Sequence, residues 1–307
     1  MGTSIGLDLG GTKLLAGAVD DAGRVIACER RLIAGLSLPA LLDVVAEAVA
    51  ALKCDVADPI GVGVPVLLDH RTQIAIRSVH LPLDGVAVAD VFGERLGRSV
   101  VVDNDATCAV LAEWRLGAAR GCDHVVLLTL GTGIGGGLVL GGGVYRGAVG
   151  AAGELGHMPV DLDGPPCFGG CPGHGCLEAL CSGSALARNA AAVAAALPES
   201  RLGRLAPLSG EQVTALALEG DPDALQLLHT LGDRLGAGLA GIAMALNPQL
   251  IVLGGGVMAA GELVLEPARG ELRRRALEPS RGVGVVAAAF GPEAGMVGAA
   301  LLARETG

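Results

Sequence analysis

The chain has 307 residues, 51% of them hydrophobic and only 2% aromatic, and its formal net charge is −10. This length is typical of two domains of about 150 residues each, whose cores must consist mainly of Ala, Val, Leu and Ile. The acidic charge without a basic stripe excludes nucleic acid as an expected partner, and the lack of an uncharged apolar run of about 18 residues excludes a membrane span.

The first 116 residues predict a three-stranded meander followed by alternating helices and strands. Apolar runs bounded by Gly and Pro indicate strands, and apolar residues three and four positions apart indicate helices. The predicted strands cover residues 5–9, 14–19, 24–30, 59–66 and 99–102, and the predicted helices cover residues 38–52 and 105–116.

The turn after the first strand has the composition of a phosphate-binding loop. It contains Gly10 and Gly11, whose backbone N–H groups could face an anion without obstruction by side chains. Thr12 adds a hydroxyl donor and Lys13 a positive charge, and Asp8 could hold hydrated Mg²⁺. An ordinary Gly-Gly hairpin explains this turn, taken alone, equally well.

A polar triplet, Asp103-Asn104-Asp105, follows the strand at residues 99–102 and precedes a predicted helix. Ligands of α/β sheets bind beside such strand ends, so one carboxylate could act as a general base for a substrate hydroxyl. The competing interpretation is helix capping alone, because Asp and Asn are preferred N-cap residues.

The strand, glycine turn and strand pattern then returns. Residues 125–130 and 134–140 predict strands around Gly131, Thr132 and Gly133, which indicates an internal duplication. Two such turns could bind the phosphates of a nucleotide, and a third cluster containing Gly255 and Gly256 could lie against the nucleoside.

The segment from residue 157 to residue 176 predicts a structural zinc site. His157, Cys167, Cys171 and Cys176 supply four ligands within twenty residues, although His174 could replace one of them. Eight cysteines in the whole chain are too few for a disulfide scaffold, so we expect a cytoplasmic protein with reduced thiols.

The remainder of the chain is mainly helical. Its elements complete an alternation of strands and helices that is typical of an α/β architecture. The predicted helices cover residues 184–197, 210–218, 222–246 and 294–305, and a strand covers residues 249–253.

Taken together, these segments resemble the ROK family of sugar kinases and regulators in the actin-like ATPase superfamily. The match includes both glycine turns, the Asn104-Asp105 pair, the Glu154-Leu155-Gly156-His157 segment and the stretch from Cys171 to Glu178. The resemblance implies two duplicated actin-like (ribonuclease H-like) domains around an interdomain cleft. It also implies that Asp105 is the catalytic base, and that Asn104, Glu154, His157 and Glu178 contact sugar hydroxyls, His157 being a zinc ligand as well.

Three positions depart from the family pattern. The first cysteine pair is spaced CxxxC (Cys167, Cys171) instead of CxC, which we attribute to an insertion around Gly169 and Gly170. Val66 stands where glucokinase-like members usually have Gly beside the sugar, and His80 stands in the place of an Asn that contacts sugar hydroxyls. These two substitutions concern the choice of sugar and leave the catalytic groups unchanged.

The resemblance therefore predicts a glucokinase-like, ATP- and Mg²⁺-dependent hexose kinase that phosphorylates the 6-hydroxyl. The alternative is a kinase for a modified hexose or aminosugar, such as kanosamine or N-acetylmannosamine, motivated by Val66 and His80. A sugar-responsive regulator is disfavoured, because regulators of this family have an N-terminal helix-turn-helix extension and here the phosphate turn begins at residue 8.

The predicted division of the chain follows from the duplication. A small N-terminal domain is expected over residues 1–117 and 294–307, and a large C-terminal domain over residues 118–293, which includes the zinc loop 157–176. ATP, Mg²⁺ and structural Zn²⁺ are the expected cofactors, and the family resemblance implies a homodimer.

Overall fold

The computed structural model describes residues 2–306 and divides the chain into two compact units. Unit 1 comprises the residues through Leu127, the segment Gly137–Gly153 and the residues from Ala288 onward. Unit 2 comprises Leu128–Gly136 and Glu154–Ala287. No helix within residues 2–306 is long and apolar enough to cross a membrane.

Strands and helices alternate along the described residues as the sequence predicts. The strands are β1 (Thr3–Leu9), β2 (Lys13–Asp20), β3 (Val25–Leu32), β4 (Ile60–Val64), β5 (Val66–Asp69), β6 (Ile74–Ser78), β7 (Val100–Asn104), β8 (Val125–Leu130), β9 (Ile134–Val139), β10 (Leu250–Gly254) and β11 (Gly284–Ala287). The α-helices are α1 (Leu38–Ala51), α2 (Val88–Leu96), α3 (Asp105–Arg115), α4 (Leu177–Cys181), α5 (Gly183–Ala196), α6 (Arg201–Leu205), α7 (Gly210–Leu218), α8 (Pro222–Leu246), α9 (Glu262–Arg275) and α10 (Ala294–Thr306).

Unit 1 is built on a five-stranded sheet with the order β3-β2-β1-β4-β7. The meander β1-β2-β3 is antiparallel, whereas β4 and β7 continue the sheet parallel to β1. β1 and β4 are almost wholly buried, as central strands covered on both faces should be. The side chains of α1 and α2 pack with Ile5, Leu7 and Val62 in one hydrophobic cluster, and α3 packs with α10 in a second.

Helix α10 lies directly on the sheet because glycines face it. A Cβ on Gly6 would overlap the Met296 carbonyl oxygen, and a Cβ on Gly61 would overlap the Ala299 carbonyl oxygen. Gly298 of the helix likewise faces the Cys108 carbonyl of α3 without room for a side chain. Since a backbone cannot yield as a flexible side chain can, these positions require glycine.

We therefore expect Gly61→Ala to destabilise the protein by about 3 kcal/mol or more, at the upper end of overpacking effects. The matched control is Gly270→Ala, because Gly270 lies within α9 with no atom within 4 Å of an added Cβ. That change should be neutral or stabilise by up to about 1 kcal/mol through helix propensity. Urea unfolding of both variants measures the difference, and equal midpoints would contradict the close packing of α10.

A buried carboxylate joins the chain before α10 to the end of α3. Glu113 is fully buried and accepts the backbone N–H groups of Ala118, Ala289 and Phe290 at 2.8–3.0 Å. Backbone donors satisfy this charge as a capping interaction would. The contact fixes residues 288–290 in unit 1, ahead of the helix that covers the sheet.

Unit 2 contains the second glycine turn and most of the helices. The residues of β8 and of β9 are divided between the two units, and the sheet of these strands has the order β11-β10-β8-β9, with β10 and β11 parallel. α8 begins after Asp221, which caps it by accepting the Ala224 N–H at 3.0 Å, and ends at the left-handed Asn247. α9 packs closely along α8, where Gly232 and Gly236 leave no room for side chains.

Most predicted elements are confirmed to within two residues at each end. The predicted strand 59–66 is divided at Pro65 into β4 and the beginning of the β5-β6 hairpin. The sequence did not indicate that hairpin, nor α2, α4, α6, α9 and β11. The compact units also differ from the predicted domain boundaries, because residues 118–127, 137–153 and 288–293 lie in unit 1.

Candidate active site

The first glycine turn begins where β1 ends, at Asp8 and Leu9. The Gly10 N–H donates to the Lys13 carbonyl oxygen at 2.8 Å and closes the turn, so this N–H is already paired within the turn. Thr12 and Lys13 are exposed. The turn thus presents a hydroxyl and an ammonium group to solvent at the end of a buried strand.

Asp8 lies in a crowded, largely desolvated position in the same turn. A Cβ on Gly295, near the start of α10, would be 2.7 Å from the Asp8 carboxylate. Burial, followed by the negative charge of Asp105, raises the pKa of Asp8 to about 7. A carboxylate whose ionisation is disfavoured by a second carboxylate nearby forms, with it, a donor set that suits a divalent cation.

The raised pKa predicts a stability cost for ionised Asp8. Because its pKa is higher in the folded protein than the usual 3.8, stability falls as the pH rises from about 4 to 7 and is constant above that range. Asp8→Asn removes this charge, so the variant should be more stable than the wild type at pH 8, by at most about 4 kcal/mol. The gain should shrink as the pH falls to 5.

Urea unfolding at pH 5 and pH 8, without Mg²⁺ or nucleotide, measures this difference. The exposed carboxylate of Glu47 on α1 provides the control, since Glu47→Gln should show no such trend. A difference between Asp8→Asn and wild type that does not change with pH would contradict the assigned environment.

The Asp103-Asn104-Asp105 triplet lies at the junction of β7 and α3, as predicted. Asn104 caps α3, because its Oδ1 accepts the N–H groups of Ala106 at 2.9 Å and Thr107 at 3.1 Å. Asp105 is the first residue of the helix and is half-buried. Capping is therefore a real function of Asn104, and it fixes the backbone from which the Asp105 side chain projects.

Asp103 is buried and paired with an arginine that the sequence did not indicate. Arg146 donates from Nε and Nη2 to Asp103 Oδ2, both at 2.7 Å, while Asp103 Oδ1 accepts the Asn104 N–H at 2.9 Å. The pair ties the segment after β9 to the end of β7 within unit 1. No local pattern marks Arg146, because its partner is 43 residues away in sequence.

His80 and Val66, the two positions of altered family pattern, both lie in unit 1. The His80 ring lies on the glycine turn, with its Cγ 3.0 Å from the place of a Cβ on Gly11. The Val66 side chain is only 4% exposed and belongs to the hydrophobic core, while its carbonyl oxygen accepts Asn104 Nδ2 at 3.4 Å. A ligand could therefore meet Val66 mainly through its backbone.

The second glycine turn, in unit 2, is closed by the Gly131 N–H, which donates to the Gly133 carbonyl oxygen at 2.9 Å. The predicted third cluster contacts the same region. Gly255 has φ of 87° and packs against the backbone of Leu130, whereas a Cβ on Gly256 would have open space within 4 Å. Gly255 is thus covered by the Leu130 backbone, whereas the position of a Cβ on Gly256 is open.

Glu154 and His157 lie on either end of a short 3₁₀ turn, Leu155–His157. Their closest side-chain atoms, Glu154 Oε2 and His157 Nε2, are 3.8 Å apart. Burial raises the pKa of Glu154, an effect that the His157 imidazole opposes and the Glu178 carboxylate reinforces. Glu178 lies on α4, which begins immediately after Cys176. Glu154, His157 and Glu178, three of the predicted sugar ligands, therefore all belong to unit 2.

The four predicted zinc ligands come together. One ligand atom from each of His157, Cys167, Cys171 and Cys176 lies within 4.8 Å of all the others. Cys167 Sγ is 3.5 Å from His157 Nδ1, close to the ~3.6 Å that separates N and S ligands on a tetrahedral zinc ion. Burial and the two neighbouring thiols raise the pKa of Cys167 to about 12, so a bound cation is needed to favour thiolates here. The donor set therefore fits zinc.

The CxxxC spacing does not displace Cys167 from this cluster. Gly169 and Gly170, in the extra residues, both adopt left-handed φ angles of 63° and 71° and turn the chain back. Phe168 lies beneath the Arg188 guanidinium, 5.4 Å from the ring centroid, and Arg188 also donates to the Ala179 carbonyl at 2.7 Å. The loop is thereby fixed to α4 and α5.

The comparisons with known proteins agree over the whole chain. A model of the ROK family matches residues 4–306. The glucokinase of Streptomyces coelicolor is 36% identical over 318 aligned positions, covering 99% of this chain and 98% of the relative. The crystal structure of a ROK family glucokinase from Streptomyces griseus in complex with glucose and AMPPNP has a TM-score of 0.91 at 36% identity, covering 99% of this chain and 100% of that one.

A second solved structure, the ROK hexokinase from Thermus thermophilus, has a TM-score of 0.77 at 35% identity and covers 99% of this chain and 98% of that chain. These likenesses confirm the predicted α/β class and the two-domain actin-like fold.

Proposed function

The chain belongs to the ROK family, and we propose that it is a hexose kinase that transfers the γ-phosphate of ATP to the 6-hydroxyl of a hexose. One observation of this structure supports the chemistry most directly. Asp105 lies close enough to Asp8 for its negative charge to raise the pKa of Asp8, and Asp8 adjoins the first glycine turn of unit 1. A base, a cation-binding carboxylate and a phosphate turn are the parts that phosphoryl transfer requires.

In the proposed reaction Asp105 accepts the proton of the sugar 6-hydroxyl. As the O–H bond breaks, the oxygen forms a bond to the γ-phosphorus, and the bond from that phosphorus to the β–γ bridging oxygen breaks to release ADP. The glycine turns, with Thr12, Lys13 and Thr132, stabilise the charge on the phosphates. Bound Mg²⁺, held through water by Asp8, would neutralise phosphate charge.

The sugar is proposed to bind to Asn104, Glu154, His157 and Glu178. Asn104 has its Nδ2 directed to Val66, so a sugar hydroxyl and the Val66 carbonyl would share that amide. Zinc is proposed to be structural, because four protein ligands leave no open position for chemistry. Homodimerisation and a cytoplasmic location remain predictions from the family resemblance and the cysteine content.

An ADP-release assay over a panel of hexoses and aminohexoses tests this proposal. We expect sugar-dependent ADP release with at least one unmodified hexose. Absence of sugar-dependent release across the panel would contradict the function.

The alternative is a kinase for an aminosugar or another modified hexose. It is favoured by His80, which lies on Gly11 in the position where glucokinase-like members have an amide. An imidazole offers one donor and one acceptor in its neutral form and differs in size and shape from an amide, so sugar substituents should be recognised differently. A rate with glucose far below that with an aminohexose would establish this alternative.

A further inference from the structure

Glu178 is bonded to the second glycine turn. Glu178 is the second residue of α4, and its Oε2 accepts the Ile134 N–H at 2.7 Å. The same oxygen fills the space beside Gly133, where a Cβ would overlap it. A residue that the family resemblance makes a sugar ligand therefore also contacts a predicted phosphate turn.

The residues that follow α4 hold the rest of that turn. The Gly183 N–H donates to the Gly131 carbonyl oxygen at 2.8 Å, and the Ser184 N–H donates to the Thr132 carbonyl oxygen at 3.3 Å. Both partners of these two bonds are backbone groups, so no side chain takes part in them. The bond from Glu178 is different, because it depends on a carboxylate that a sugar hydroxyl could also contact.

We propose that Glu178 is a positioning residue that couples hexose binding to nucleotide binding. The inference rests on the proposed function. Within residues 2–306, Glu178 Oε2 accepts the hydrogen bond from the Ile134 N–H, and Glu178 Oε1 accepts none. A hexose hydroxyl donated to Oε1 would fix the carboxylate, and the fixed carboxylate would hold the turn in the form that binds phosphate.

The physical reason for the coupling is conformational entropy. A turn that is already ordered loses less freedom when the nucleotide binds, so hexose should tighten nucleotide binding. By linkage, the nucleotide must tighten hexose binding by the same factor. Glu178 would thus act on the nucleotide through the Ile134 N–H, without itself touching the phosphates.

Glu154 provides a matched control for this role. It is a carboxylate with the same proposed contact to the sugar, and its Oε2 lies 3.8 Å from His157 Nε2. Within the described residues it makes no hydrogen bond to the turn 131–134. Removing Glu154 should therefore weaken hexose binding without weakening nucleotide binding in the absence of hexose.

Calorimetric titration of AMPPNP with Mg²⁺ into the zinc-loaded protein tests the proposal. Without hexose, the Kd for AMPPNP should rise about tenfold in Glu178→Ala, as expected for loss of one hydrogen bond to a charged group. In Glu154→Ala it should stay within about twofold of wild type. Zinc content and circular dichroism are measured on each variant, to exclude loss of the metal or of folded structure.

A rise of less than about threefold in folded Glu178→Ala overturns the proposal, and so does a wild-type AMPPNP affinity that hexose leaves unchanged. If Glu178→Ala does not fold, Glu178→Gln decides. Gln has only one oxygen to accept from both the Ile134 N–H and the hexose hydroxyl. The ratio of the AMPPNP Kd without hexose to the Kd with saturating hexose should therefore fall below half the wild-type ratio. An unchanged ratio overturns the proposal. A protein without kinase activity contradicts the proposed function, whereas an active kinase that fails these tests contradicts only the role of Glu178.

Discussion

Replacing Asp105 with Asn is expected to lower phosphoryl transfer at least about 10³-fold while hexose binding stays measurable. The variant keeps the size and shape of the side chain and removes its ability to accept a proton. Asp105 begins α3 behind the Asn104 cap, so its backbone position should be maintained without the charge. The loss should therefore appear in kcat, with little change in the affinity for hexose.

Steady-state kinetics and calorimetric hexose binding on the same preparation measure the two effects. Asp90→Asn is the control, because Asp90 is an exposed carboxylate in the first turn of α2 and loses the same charge at a helix N-terminus. Its turnover should stay near that of wild type. Turnover near the wild-type rate in Asp105→Asn would mean that another group accepts the proton.

Loss of a predicted zinc ligand is expected to have the second large effect. Cys176 is buried and is the N-cap residue of α4, directly before the segment that contains Glu178. Cys176→Ser should lower bound zinc from about one ion per chain toward zero. Structural zinc stabilises small zinc domains by about 10 kcal/mol or more. Even about 3 kcal/mol lost here would lower the melting midpoint by about 6–12 °C.

The same substitution should weaken hexose binding, because His157 and Glu178 would lose the metal that is proposed to fix their loop and helix. Zinc analysis, thermal unfolding and hexose titration measure the three effects. Cys28→Ser is the control, since Cys28 is an exposed thiol on β3 outside the cluster and should retain zinc. Unchanged stability and hexose affinity in a verified zinc-free Cys176→Ser protein would contradict a structural metal.

The elements that could be predicted from sequence are those with a strong local pattern. β1 and β8 are mainly apolar runs that are followed by glycines, and α8 has a capping Asp221, a first-turn Pro222 and 25 residues of helical periodicity. α9 was missed because Pro267 within its sequence normally ends a helix. Close packing on Gly232 of α8 compensates for that proline, and such compensation cannot be read from local sequence.

The β5-β6 hairpin was missed for a different reason. Its strands have four and five residues, and exposed Ile74 and Ile76 give the second strand no alternation of apolar and polar residues. Short strands with exposed apolar residues resemble loops in sequence. The chain that leaves this hairpin places His80 on Gly11. Because the hairpin could not be predicted, this contact at the candidate site could not be predicted either.

In the candidate site, too, features within one short segment could be predicted, whereas contacts between distant segments could not. Spacing alone predicted that His157 and three cysteines would meet, because all four lie within one short loop of limited reach. The environment of Asp8 and the pairing of Asp103 with Arg146 could not be predicted, since they depend on segments brought together by the sheet. The link from Glu178 to Ile134 is likewise a tertiary contact, 44 residues apart in sequence.

Analysis of the products of one reaction tests the central claim most directly. Purified protein is incubated with Mg²⁺, ATP and the hexose of highest rate, and ³¹P and ¹H NMR follow the phosphate. We predict that hexose 6-phosphate and ADP form in equal amounts with the wild type, and that Asp105→Asn forms neither at a comparable rate. Release of ADP without sugar phosphate, or phosphorylation at another hydroxyl, would contradict the proposed reaction.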